Sequence, residues 1–152
     1  MKPFVFRARA ALHLRRRQAE QALQALAGVQ LSVQDAEAAL ASARDAHRAA
    51  GRAAGEAEQR SGTAGLLQWH RNWILARHRD VTRCETELST LREQERIARH
   101  EALQARMRVR VLEKLRERAR RTYLAEETRA EQRMLDALGT VRHVVRDKGG
   151  SS

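Results

Sequence analysis

Residues 103–124 read LQARMRVRVLEKLRERARRTYL. Val109, Val111, Leu112 and Leu115 stand among Arg106, Arg108, Arg110, Lys114, Arg116, Arg118, Arg120 and Arg121, with no proline or glycine between them. Leucine, alanine, arginine and glutamate are all good helix formers. The stretch belongs to a proline-free run from about Leu66 to Val145 that reads as one helix of roughly eighty residues. At a rise of ~1.5 Å per residue such a helix is on the order of 120 Å long. A compact domain of 152 residues has no room for it. The sequence therefore predicts a rod, and function has to come from its surfaces and ends.

Working outward from residue 103 toward the N-terminus, Ile74, Val81 and Leu88 recur every seventh position. Cys84, Leu91, Ala98 and Ala105 supply the second seam position, and Glu95 interrupts it. Toward the C-terminus, Leu124, Met134, Leu138, Val141 and Val145 carry a weaker seam to about residue 146. Residues 147–152, ending Gly149-Gly150-Ser151-Ser152, read as a frayed tail. Gly62-Thr63-Ala64-Gly65 is the one credible turn, placed at about 61–65. Its G-x-x-G spacing lacks the following Lys-Ser/Thr and the flanking strand of a phosphate loop.

Ahead of the turn, Leu12, Ala19, Leu26, Val33 and Leu40 alternate with Arg15, Ala22, Val29, Ala36 and Ala43. Apart from Arg15 this is a heptad seam over four repeats, the pattern of a coiled coil. The apolar pattern fades from Gly51 onward. Two helices joined by a short loop pack antiparallel. The fold class expected is thus all-α, a single two-helix coiled-coil hairpin spanning 1–152. Its first arm covers about 4–60 and its second about 66–146, with the second arm overhanging the first.

Composition agrees. Aromatics make up 3% of the chain and charged residues 32%, too few large side chains for a globular core. The sole proline is Pro3 and the sole cysteine Cys84, which excludes an internal disulfide and fits a reducing compartment. No run approaches the length of a transmembrane helix, and the basic start lacks the apolar region of a secretory signal. That start is free of acidic residues until Glu20, as a transit peptide would be, but the heptad pattern runs through it and marks it as structure. A net charge of +11 admits nucleic acid, an anionic membrane surface or an acidic protein partner.

No catalytic, cofactor or metal constellation emerges, so an enzyme is not expected. His13, His47, His70, His78, His100 and His143 include no pair spaced to close on one metal from one helix. A metal held across the two arms ranks well behind ordinary exposed helix histidine. Cys84 falls on the seam, where a buried thiol packs inertly.

Two features stand above this background. Trp69 and Trp73, the only tryptophans, lie four apart beside the turn. They either staple the tip or anchor a partner. Basic charge also collects at the open end, with Arg7, Arg9, Arg15, Arg16 and Arg17 on the first arm and Arg106 to Arg121 on the second. Charge gathered in one half favours a ligand of opposite sign. Nucleic acid would ordinarily add aromatics or a defined motif, and Tyr123 stands alone, so an acidic protein surface ranks above DNA or RNA.

The residues also carry a family likeness. Phe4-x-Phe6-Arg7-x5-Leu12-His13-Leu14-Arg15-Arg16-Arg17-Gln18 resembles the opening of the FliJ family. Leu112-Glu113-Lys114-Leu115-Arg116-Glu117-Arg118, then Tyr123-Leu124-Ala125-Glu126-Glu127 and Glu131-Gln132-x2-Leu135-Asp136, resemble its later part. The resemblance implies a cytoplasmic stalk of flagellar export or of its injectisome relatives, peripherally associated with the inner-membrane apparatus. It implies that the end bearing both termini enters a hexameric export ATPase, which would assign Arg7, Arg9, Arg15, Arg16, Arg116 and Arg120 to the ATPase ring. The opposite region would meet the membrane export gate through Trp69, Trp73, Ala76 and Asp80. On the first arm, where the family uses aromatic residues for the gate, this chain has Ala43, Ala46 and Ala50. Handling of substrate chaperones is implied as well; a cofactor and specific nucleic acid are not. The alternative function is a basic coiled coil on nucleic acid or an anionic membrane surface.

Overall fold

The computed structural model describes residues 2–149, the side chain of Lys148 excepted. Two helices account for most of them: α1, Arg9–Gln59, of 51 residues, and α2, Ala64–Gly149, of 86 residues. No strand occurs among the described residues. The fold is all-α, a helical hairpin whose long helices pack against each other. Of the tail expected to fray, residues 147–149 continue α2, and 150–152 lie outside the described residues.

The turn is tighter and earlier than the glycines suggest. Ser61 takes the left-handed conformation that ends α1, with φ 54°. Gly62 N–H donates to the Ala57 carbonyl at 3.1 Å and Ser61 N–H to the Glu58 carbonyl at 3.2 Å. This pair of bonds is a Schellman cap, which satisfies the last carbonyls of the helix. Thr63 then caps α2, its Oγ1 accepting from Leu66 N–H at 3.2 Å. Ala64 and Gly65, read as turn residues, are already helical because Thr63 starts the helix ahead of them.

The first arm starts later than residue 4. Residues 2–6 have no regular secondary structure and a turn leads into Arg9, whose N–H donates to the Phe6 carbonyl at 3.1 Å. Pro3 holds Lys2 out of the α region. Phe4 and Phe6 then alternate with an exposed Val5, a two-residue period that turns both rings to one side.

The chain divides into two compact units, one made of Met1–Arg17 with Arg106–Ser152, the other of Gln18–Ala105. In the Gln18–Ala105 unit, Arg92 pairs with Glu37 and Arg44 with Glu85, both at 3.3 Å. Seven residues up α1 match seven down α2, which fixes an antiparallel register. Val33, Leu40, Val81, Cys84 and Leu88 form its core, with Val29, Ala36, Ala43 and Leu91 against them. The seam persists past Gly51, since Ala54 and Ala57 are half-buried; small alanines sustain it where a hydrophobic reading fades. Glu95 does sit in the seam, with 20% of its side chain exposed and Arg99 at 2.7 Å answering its charge.

In the other unit Leu12 is buried, and Val109, Leu112, Ala119 and Tyr123 are half-buried. Arg16 pairs with Glu113 at 3.1 Å. The apolar crowd beyond residue 103 therefore splits: Val109 and Leu112 turn inward while Met107, Val111 and Leu115 face solvent. From Glu131 to Asp147 every side chain is exposed, Met134, Leu138, Val141 and Val145 included.

Candidate partner-binding surfaces

Within the Gln18–Ala105 unit, Trp69, Trp73, Ala76 and Asp80 follow one another at helical spacings of four, three and four, so α2 presents them on one face. The Trp69 and Trp73 rings stack, centroids 5.6 Å apart and planes 8° from parallel. They remain 55% and 42% exposed, so neither is a staple buried beneath the tip. The stack continues in a residue the sequence reading passed over: the Arg77 guanidinium lies 4.5 Å from the Trp73 ring centroid. Arg77 also pairs with Asp80 at 3.0 Å, and Asp80 reaches Arg83 at 3.3 Å. One ladder of aromatic, cation and carboxylate thus joins Trp69, Trp73 and Asp80, with Ala76 half-buried beside it.

Two buried side-chain nitrogens at this ladder lack a hydrogen-bond partner, His70 Nδ1 and Arg77 Nε. The His70 ring meets Trp69 edge-on at 5.0 Å. The first-arm positions take no part. Ala50 is buried, and Ala43 packs against the core.

In the Met1–Arg17 and Arg106–Ser152 unit, an open groove of about 900 Å³ collects Arg7, Arg9, Arg16 and Arg116 around Phe4, Phe6 and His13. Of the other two arginines expected there, Arg15 is half-buried on the α1 seam and Arg120 is exposed on α2 outside the groove lining. The apolar floor was missed because it needs the non-helical N-terminal segment. Phe4 packs on Tyr123 with centroids 5.6 Å apart, and the Tyr123 hydroxyl donates to the Lys2 carbonyl at 2.7 Å. Arginine forks over an apolar floor suit carboxylates carried on an amphipathic surface.

Among the described residues no group of three or more His, Cys, Asp or Glu gathers to hold a metal ion. No helix among them is long and apolar enough to cross a membrane. The paired helices offer an exposed aromatic ladder in the Gln18–Ala105 unit and an arginine groove in the other. The family model described as flagellar FliJ protein matches residues 10–148, and the chain belongs to that family. No curated protein and no solved structure matches it.

Proposed function

We propose that this chain is the stalk of a flagellar or related type III export complex, coupling a hexameric export ATPase to the membrane export gate. The observation that carries the reading is the family match across both helices, residues 10–148. The groove of Arg7, Arg9, Arg16 and Arg116, together with Arg15 and Arg120, is the surface for the acidic lining of the ATPase ring. The face of Trp69, Trp73, Ala76 and Asp80 is the gate contact. Substrate chaperones are further partners, and the stalk works in the cytoplasm against the membrane apparatus.

Separate substitutions test the two surfaces. Arg116→Glu with Arg120→Glu changes exposed charges only, which ordinarily costs under ~0.5 kcal/mol of stability. The double variant is expected to keep its helicity and lose stimulation of ATPase assembly or turnover. Trp73→Ala removes both the indole stack and the seat of Arg77. It is expected to keep ATPase stimulation and weaken gate binding about thirtyfold, or ~2 kcal/mol. Full stimulation by the folded double variant would detach the arginines from the ATPase. A lower melting temperature with gate affinity intact would make the tryptophans structural.

A further inference from the structure

Within the Met1–Arg17 and Arg106–Ser152 unit, the segment ahead of α1 is held to α2 by two contacts that helix spacing does not require. The Phe4 and Tyr123 ring centroids stand 5.6 Å apart with planes tilted by 51°, within the range of a favourable aromatic pair. The Tyr123 hydroxyl donates to the Lys2 carbonyl at 2.7 Å, the usual length of an O–H···O bond. Segments near a chain end are poorly ordered unless tied down, and Tyr123 ties this one at two points. Beyond the tie, the Phe6 carbonyl accepts from Arg9 N–H at 3.1 Å, so the segment turns directly into the helix.

The tie builds one wall of the arginine groove. Phe4, Phe6 and Arg7 come from the segment, Arg9 is the first residue of α1, and Arg116 is the lining's only residue from α2. Arg16 is occupied by Glu113, whereas Arg7, Arg9 and Arg116 make no ion pair among the described residues. We propose that residues 2–8 form a strap pinned by Tyr123, and that the pinned strap holds Arg7 and both phenylalanines ready for an acidic, amphipathic protein segment, a role that rests on the groove's proposed service to an acidic partner. Guanidinium forks would meet the carboxylates, and the rings would cover the apolar side. Tyr123 lies outside the groove lining, so it is a positioning residue that acts through the strap. With the strap loose, binding would first have to order it, and ordering long side chains weakens an interface.

Tyr123→Phe removes the hydroxyl and keeps the ring; Tyr123→Leu removes both and keeps apolar bulk at a half-buried position. The full chain carrying each is titrated with a fluorescein-labelled peptide of alternating glutamate and leucine, and tryptic cleavage after Arg7 is followed by mass spectrometry. Trypsin cuts loose chain far faster than helix, so that site reports on the strap. Cleavage is expected to quicken and peptide affinity to fall, roughly threefold in Tyr123→Phe and roughly tenfold in Tyr123→Leu, with the melting temperature unchanged. Arg116→Glu is expected to lose the peptide and keep the slow cleavage. Unchanged cleavage and affinity in both Tyr123 variants, beside an Arg116→Glu chain that has lost the peptide, would overturn the strap and leave the groove standing. Earlier melting with peptide affinity intact would make the Tyr123 contacts structural and overturn it as well. An unaltered chain that does not bind the peptide would remove the acidic partner from the groove, and the strap's role with it.

Discussion

Ser61 carries the one positive φ among the described non-glycine residues, in the position of a Schellman cap that glycine usually fills. A left-handed conformation costs an L-residue roughly 1–2 kcal/mol, which glycine avoids. Glycine in exchange loses more freedom on folding, about 0.5–1 kcal/mol. Ser61→Gly is therefore expected to stabilise the chain slightly, by up to about 1 kcal/mol in a urea or thermal melt. The neighbouring Gly62→Ala is expected to destabilise it. A Cβ there would meet the Ala57 carbonyl oxygen at 3.2 Å and Leu66 Cδ2 at 3.3 Å. Equal effects of the two substitutions would show that the cap does not govern the turn.

At the scale of the element, α2 changes character along its length. Between Val81 and Leu91 it packs into the core formed with α1. From Glu131 to Asp147 no side chain is buried, so that stretch draws only on helix propensity. Isolated helices of this length are marginal in water. Hydrogen exchange is expected to separate the regions: amides near Val33–Leu40 and Val81–Leu88 protected, those of residues 131–147 exchanging nearly as fast as unfolded peptide. A partner seated on Met134, Leu138, Val141 and Val145 would slow that second class. Uniform protection in the free chain would mean that those side chains are covered by something other than a proposed partner, such as a second copy.

For the whole molecule the governing quantity is a net charge of +11, which would let the chain adhere to any polyanion. Single-strand binding adds aromatic platforms to charge; the exposed indoles of Trp69 and Trp73 belong to the Gln18–Ala105 unit and not to the arginine groove, where Tyr123 is engaged, ring on Phe4 and hydroxyl on Lys2. Binding to DNA or RNA is accordingly expected to be weak and indifferent to sequence, and to disappear by ~150 mM salt as counterion release fades. Filter binding across a salt series checks this. Tight binding at that salt would favour the nucleic-acid function over the export stalk.

The heptads of Leu12 to Leu40 and Ile74 to Leu91 determined the hairpin by themselves, because a seam of period 3.5 can only be buried by another helix. The turn's location near Gly62 and the family likeness were equally legible, being matters of residue type and spacing. Tertiary structure decided which apolar residues are used. Val109 turns inward and Val111 outward because 100° of helical rotation separates each residue from the next, and only the partner helix selects the buried side. It also drew Arg77 onto Trp73, Phe4 onto Tyr123 and His47 to His78. Arg77 lies within a turn of Trp73, but its ring contact depends on rotamers that spacing does not set. The other two pairs join residues far apart in the chain, which local periodicity cannot align; only the register of one helix on the other does.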